Sequence, residues 1–372
     1  MERVCARCFS DTDIRQWIDN QDGPRGCDAC GRHDASTIGL SELGDFLRGR
    51  ISQYYGLAVD QLPYDSAEGG YQGTTWDTGE LLDDLGALDF ARSVSGLELA
   101  LVDAVGWETW CEYDWLSLDL DQELLLNWER FCKIVKHQRR FFFHNIADPD
   151  DREQRSPAEL LHFVADFAYQ QGMVRTISRG TPVYRARPLG NRRFELTAAE
   201  LGPPPAQRAV QANRMNPAGI PMMYVAEKRK TALAEIPPGR VAVGKFELIR
   251  DIRLVDLACL PPIPGVFSNA SRQTRLGCKF LHMFRDAIVK PVARDKRVHI
   301  DYLPSQVVTE FIRGHRFGGL NVVDGIRYPS VAHADGINWV LFATPRDVSD
   351  GTHSVNEAWI RLTDARVRNV TQ

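Results

Sequence analysis

The sequence predicts an α+β protein in which an N-terminal zinc ribbon precedes a helical middle domain and a C-terminal mixed α/β domain. Three observations carry that prediction. Two Cys-x-x-Cys pairs fall within the first thirty residues, a helical apolar period runs between residues 40 and 172, and short β-rich runs broken by Pro and Gly follow it. The expected boundaries are 1–36 for the ribbon, 37–175 for the helical domain, 176–346 for the mixed domain and 347–372 for a C-terminal extension.

The ribbon rests on Cys5-Ala6-Arg7-Cys8 and Cys27-Asp28-Ala29-Cys30, with residues 9–26 between the pairs. Each pair can reach one tetrahedral ion from a tight knuckle, and Gly26 and Gly31 supply the backbone freedom that knuckles need. A four-thiolate site leaves no open coordination position, so the expected zinc is structural and its ligands are Cys5, Cys8, Cys27 and Cys30. The other cysteines, Cys111, Cys132, Cys259 and Cys278, are scattered singly, which argues for reduced thiols rather than a disulfide framework.

In the middle region Leu40, Leu43, Leu47, Ile51 and Tyr54 recur at helical steps, and Leu124, Trp128, Phe131 and Val135 form a second stripe. Ser156-Pro157-Ala158-Glu159 reads as a capping box with proline at the first helical position. The nearby Trp107, Trp110 and Trp115 are expected to serve packing. After Gly172, strands are expected at 183–187, 241–248, 252–257, 321–326 and 337–342, with helices at 228–236 and 304–312. The chain beyond Asp347 shows one apolar run, 358–362.

The formal net charge of −4 over 372 residues argues against a protein that coats nucleic acid or an anionic membrane. With no signal-peptide core and no apolar stretch of about 18 residues, a soluble, cytoplasmic protein is expected.

Chemistry concentrates in the second half. Strand alternation puts Arg185 and Arg187 on the face opposite Tyr184, where a guanidinium can grip a pyrophosphate with two parallel donors. Arg214-Met215-Asn216-Pro217-Ala218-Gly219 is a turn that can aim Arg214 at an anion, and it leads to Tyr224. Glu235 ends a short helical piece halted by Pro237, and Tyr328-Pro329-Ser330 precedes Asn338. Singly, each of these residues also reads as surface, loop or packing.

In order, however, Val-Tyr-Arg, then Arg-x-Asn-Pro-x-Gly-x-Pro-x-x-Tyr, then Ala-x-x-Glu, then Tyr-Pro-Ser with a later Asn resembles the RES domain over roughly 179–345. The resemblance implies a fold similar to ADP-ribosyltransferases and an NAD⁺-degrading activity, in family members that act as toxins neutralised by an antitoxin. It assigns catalytic roles to Arg185, Arg214, Tyr224, Glu235 and Ser330, with Arg185, Arg214, Tyr224 and Asn338 holding NAD⁺. Arg185 and Arg214 would grip the pyrophosphate, and Tyr224 would stack on nicotinamide or close the pocket. Glu235 would stabilise developing positive charge, and Ser330 would fix the leaving geometry. The family usually carries Trp where this chain has Met215, which leaves the shape of that wall open. A second Pro-Ser, at Pro304-Ser305, is set aside because Ser330 has the downstream Asn338.

The implied reaction is glycohydrolase or phosphorylase cleavage of the nicotinamide–ribose bond by a toxin or antiphage defence effector, with ADP-ribosyl transfer to a protein as the alternative. An antitoxin or immunity protein and a second copy of the chain are the expected partners. The middle region also resembles the helical domain found before RES domains and compared with HEPN ribonucleases. Arg139 and His144 meet the Arg-x₄₋₆-His spacing of those nucleases, although the three phenylalanines between them read as a packed helix end. A third class, a binding module docking through the zinc ribbon with an inactive RES domain, stays open.

Overall fold

The computed structural model describes residues 2–92, 94–113, 118–143, 154–190, 194–291, 298–319, 322–351 and 357–370. They form two compact units, Met1–Asp121 with Pro262–Lys279, and Gln122–Pro261 with Phe280–Gln372. Among the described residues no helix is long and apolar enough to cross a membrane.

In the first unit, strand Arg3–Val4 pairs antiparallel with Ile38–Gly39 and closes the first 39 residues into a loop. Inside it, helix Thr12–Asp19 starts at Asp11, whose carboxylate accepts from the Asp13 and Ile14 amides. The loop is drawn tight at Gly23, where a Cβ would lie 1.8 Å from the Thr37 carbonyl oxygen. Helix Leu40–Ile51 buries Leu43, Gly44, Leu47 and Ile51. Its approach to helix Leu97–Val105 is equally close, since a Cβ on Gly44 would fall 2.3 Å from the Ala104 oxygen.

Cys5, Cys8 and Cys27 share one apolar core with Phe9, Leu43, Leu47, Leu101 and Trp110. The boundary expected at residue 36 therefore cuts through a continuous core. The physical reason is that some 36 residues enclose too little apolar volume to bury Ile14 and Ile18 unaided. Of the tryptophans expected to serve packing, Trp110 is buried with its indole N–H on Thr78 Oγ1 at 3.1 Å, and Trp107 is 64% exposed. Trp115 lies outside the described residues.

The second unit is built on a nine-stranded sheet. Its strands in chain order are β1 (Val174–Ile177), β2 (Pro182–Pro188), β3 (Met223–Ala226), β4 (Gly239–Leu248), β5 (Ile252–Asp256), β6 (Gly325–Pro329), β7 (Ile337–Leu341), β8 (Val348–Ser349) and β9 (Ile360–Val370). Across the sheet the order is β8-β9-β4-β2-β3-β7-β6-β5-β1. The pairings are antiparallel except β5 with β6 and β8 with β9. The unit's longer helices are α1 (Leu120–Lys133), α2 (Pro157–Gln170) and α5 (Leu303–Gly314), with the short α3 (Arg229–Ala234), while α4 (Arg272–Val289) contributes its residues from 280 onward. The capping box of α2 is present: Ser156 accepts from the Glu159 amide, and the Glu159 carboxylate accepts from the Ser156 amide.

Two further boundaries differ from expectation. The middle region is helical, but α2 and nearly all of α1 belong to the second unit. The apolar face of α2 meets Val255, Leu257, Val308 and Ile312, which the sheet and α5 supply. Residues 347–372, expected as an extension, carry β8 and β9. Ile360 and Leu362 are buried against Phe246 and Leu248 of β4, so the apolar run at 358–362 belongs to the core.

One pairing positions the site. β2 follows β4 without interruption from Pro188↔Val241 to Pro182↔Glu247. It meets β3 only at Tyr184↔Ala226. β3 stays with β7 instead, from Met223↔Leu341 to Ala226↔Asn338. Beyond Tyr184 the two central strands part and leave a split in the sheet. Close by, a buried ion network ties strands together. Arg327 of β6 forks onto both oxygens of Asp256 at 2.9 Å and donates through Nε to Glu227 at 2.6 Å, and Trp339 of β7 donates to the same Glu227 oxygen.

Candidate active site

The cysteine cluster is a closed cage. Cys5, Cys8, Cys27 and Cys30 place their sulfurs within 4.8 Å of one another, with Cys5–Cys8 at 3.9 Å and both Cys5–Cys30 and Cys8–Cys27 at 3.6 Å. A tetrahedral zinc with Zn–S bonds of about 2.3 Å requires sulfur separations of about 3.8 Å, whereas a disulfide needs about 2.05 Å. Burial, reinforced by the neighbouring sulfurs, pushes the Cys5 thiol up to about 11 and Cys8 higher still. At Cys30 burial also raises the thiol, but hydrogen bonds from the Arg32 amide and the neighbouring sulfurs outweigh it and hold it down at about 7, and a dication between the four sulfurs would favour the thiolate form. The donor set fits a structural zinc ion.

The split between β2 and β3 opens into a cavity of about 630 Å³. Its walls include Arg185 and Arg187 from β2, Tyr224 from β3, Ala232 and Glu235 at the end of α3, and Tyr328 and Asn338 from β6 and β7. The volume lies within the range of small-molecule and cofactor sites, about 300–1,000 Å³.

Glu235 is fixed by two donors to one oxygen. Ser330 Oγ donates to Oε1 at 2.6 Å and Asn338 Nδ2 at 2.5 Å. Ser330 is itself oriented, because the His333 amide donates to its Oγ at 3.1 Å while its own amide donates to Gly336 O. Among the described residues Oε2 of Glu235 accepts no hydrogen bond. The His333 ring closes the turn against α3 through Thr231 Oγ1 at 3.0 Å.

Arg185 spans the split, donating from Nη1 to the Tyr224 carbonyl at 3.2 Å. Burial first, and the Arg187 charge second, press its guanidinium down to about 9. Among the described residues no carboxylate lies within ion-pair distance of it. A cation so placed gains most from an anion entering the cavity. The Tyr224 hydroxyl donates to Asn216 Oδ1 at 2.7 Å and accepts from the Met215 amide at 3.2 Å. Burial raises the Tyr224 and Tyr328 phenols well above their ordinary range, and both stay neutral.

Arg214 departs from its expected place. It does not line this cavity. Its Nη1 donates to the carbonyls of Ile288 at 3.0 Å and Lys290 at 2.6 Å, at the C-terminal end of α4, and its guanidinium lies 5.7 Å from the Tyr302 ring. Carbonyls at a helix C-terminus satisfy a cation well, which is why it sits there. Its charge is still felt at Tyr224 and Tyr328. The loop it begins is pinned by α5, where Ser305 donates to Arg214 O and Gln306 to the carbonyls of Asn213 and Asn216. Met215, standing where the family usually has Trp, is fully buried beneath Thr309 and forms no part of the cavity wall.

Arg187, Asn213, Asn216 and Tyr328 line the cavity as well and were not among the expected site residues. Asn216 and Tyr328 lie inside the quoted motifs and alternation along β2 pointed to Arg187, so these three had a local signal, whereas Asn213, just before the Arg214 motif, had none. Of the nuclease pair, Arg139 lies just past the helical turn Ile134–Gln138 and is exposed, while His144 lies outside the described residues.

Two family models match the chain. Residues 182–362 match the RES domain and residues 20–149 match HEPN/RES N-terminal domain 1. The C-terminal part of the chain is a RES domain. The RES match runs from β2 into β9 and contains every residue of the cavity described above. The HEPN/RES N-terminal match includes Cys27 and Cys30 but begins after Cys5 and Cys8. No curated protein matches the chain. Among solved structures, a chain of the M. tuberculosis MbcT-MbcA toxin-antitoxin complex is similar at 11% identity, covering 55% of this chain and 94% of that one with a TM-score of 0.28.

Proposed function

We propose that this RES domain cleaves NAD⁺ at the nicotinamide–ribose bond and that the protein acts as a toxin or defence effector. The observation that carries the reading is Glu235: a carboxylate fixed by Ser330 and Asn338 stands in the same cavity as the acid-free Arg185. Cleavage sends the C1′–N bonding pair out with nicotinamide, which departs neutral, and leaves an oxocarbenium-like ribose. A fixed carboxylate stabilises that positive charge without reorganising. Oε2 is the acceptor for a ribose hydroxyl, and Ser330 and Asn338 keep the group from rotating away.

Arg185 binds the pyrophosphate, with Arg187 further along the same strand face. Tyr224 and Tyr328 give the apolar wall on which a flat ring packs. Arg214 anchors the loop bearing Asn213 and Asn216 rather than touching phosphate. The acceptor that completes the reaction is water in a glycohydrolase or inorganic phosphate in a phosphorylase.

Purified protein incubated with NAD⁺, with and without phosphate, followed by mass spectrometry, tests this directly. ADP-ribose without phosphate, or a phosphorylated ADP-ribose with it, supports the reading and separates its two forms. ADP-ribose mass added to a protein marks the transferase. Intact NAD⁺ under all conditions rejects the reading.

A further inference from the structure

A second concavity, of about 340 Å³, lies where α3 meets the sheet and shares Tyr184 with the first. Lys228, Arg229, Lys245, Arg366 and Arg368 line it. Two carboxylates are also present, but Glu227 is committed to Arg327 and Asp364 to Arg366, at 3.1 Å. Among the described residues Lys228, Arg229, Lys245 and Arg368 have no ion-pair partner, and all four are exposed. In a chain of net charge −4 this is a local excess of positive charge.

The strand that carries Arg366 and Arg368 has an open edge. β8 pairs with β9 only at Val348↔Ile360 and Ser349↔Arg361. On that outer side residues 362–370 have no strand partner among the described residues. The inner side is held by β4, with Lys245 opposite Asp364 and Val243 opposite Arg366. A row of main-chain donors and acceptors with no strand partner among the described residues therefore runs beside a cationic concavity.

We propose that the outer edge of β9 binds an extended, acidic segment of a partner protein, which adds a strand to the sheet and sets its carboxylates against the Arg366 and Arg368 side. The edge supplies main-chain hydrogen bonds, and the cations supply selection for sign. Edge charges deter pairing with a like-charged strand. A second copy of β9 would bring Arg361, Arg366 and Arg368 with only Asp364 to offset them, so net charge disfavours self-pairing. Nucleic acid would satisfy the cations but not a row of backbone groups.

The test uses the full chain and a fluorescent, end-blocked ten-residue peptide alternating Glu and Val. Binding by anisotropy is expected, weakening steeply between 50 and 500 mM salt as screening grows, about 10 Å of Debye length at 0.1 M. Amides at 362–370 should gain hydrogen-exchange protection. The double substitution Arg366→Glu with Arg368→Glu should weaken binding at least about tenfold at unchanged melting temperature. The same peptide N-methylated at alternate residues, and a Lys-Val version, should fail. No binding, equal binding of the N-methylated peptide, an unaffected double variant, preferential binding of a single-stranded RNA, or self-association through this edge would each overturn the proposal.

Discussion

The cysteine cage and the cavity between β2 and β3 are both small groups of reactive side chains among apolar walls, yet they are held in opposite ways. The cage takes its ligands from residues 5–30, and its sulfurs sit at spacings that fit a tetrahedral ion. The cavity gathers Arg185, Tyr224, Glu235 and Asn338 from four separate elements, each already fixed by hydrogen bonds within the protein. The cage, with an ion bound, is expected to hold its unit together, whereas the cavity is held by its unit. Changes at the cage should thus appear as stability and changes at the cavity as rate.

The largest effect expected is metal removal. Stripping zinc with a chelator, or Cys27→Ser, should cost the first unit on the order of 10 kcal/mol. Hydrogen exchange should then rise by orders of magnitude across Leu40–Ile51 and Leu97–Val105, while β2 to β7 keep their protection. Metal analysis finding no zinc in the purified chain would break the comparison at once.

Next comes the ion network near the cavity. Arg327→Ala removes both bonds from Nη1 to the buried Asp256, which keeps Arg175 at 3.2 Å and the Ala258 and Cys259 amides, and should cost about 1–3 kcal/mol in denaturant unfolding. A melting temperature that does not move would show that the sheet does not depend on it. Within the cavity the expectation reverses. Glu235→Gln should lower NAD⁺ turnover about 10²- to 10³-fold with unchanged melting, because one preorganised group is lost. Ser330→Ala removes one of two donors to Glu235 and should lower turnover about 10- to 100-fold. If either variant unfolds instead, the cavity is a structural element like the cage.

The smallest effect is a count of thiols. Cys259 is exposed, Cys111 and Cys278 are buried with raised thiols, and burial holds Cys132 up to about 12. At pH 8 the thiolate fraction of Cys132 is on the order of 10⁻⁴. A thiol reagent should therefore find one fast cysteine with zinc bound and, after chelation opens the first unit, the four cage cysteines together with Cys111 and Cys278 of that unit. Fast reaction of all eight without chelator would deny the cage its metal.

Legibility in the sequence followed distance along the chain. The cage could be read from spacing because its ligands are local. Glu235, Ser330 and Asn338 were readable as an ordered set, although no one of them points to the others. Arg214 could not be placed, because its carbonyl partners at Ile288 and Lys290 lie more than seventy residues away, and only tertiary packing decides which side of the loop the guanidinium leaves. The role of β9 was hidden for a similar reason. Its half-polar alternation is that of any exposed segment, and its partner β4 begins 121 residues earlier, Gly239 against Ile360.

The central claim is that the split between β2 and β3 is an NAD⁺-cleaving site centred on Glu235. Nicotinamide release from NAD⁺ by the purified full-length protein, set beside Glu235→Gln with binding to each followed by calorimetry, tests it most directly. The expected result is free nicotinamide from the unaltered protein and little from the variant, which still binds NAD⁺ at one site per chain. NAD⁺ left intact by both proteins, or nicotinamide released equally by both, would contradict the claim.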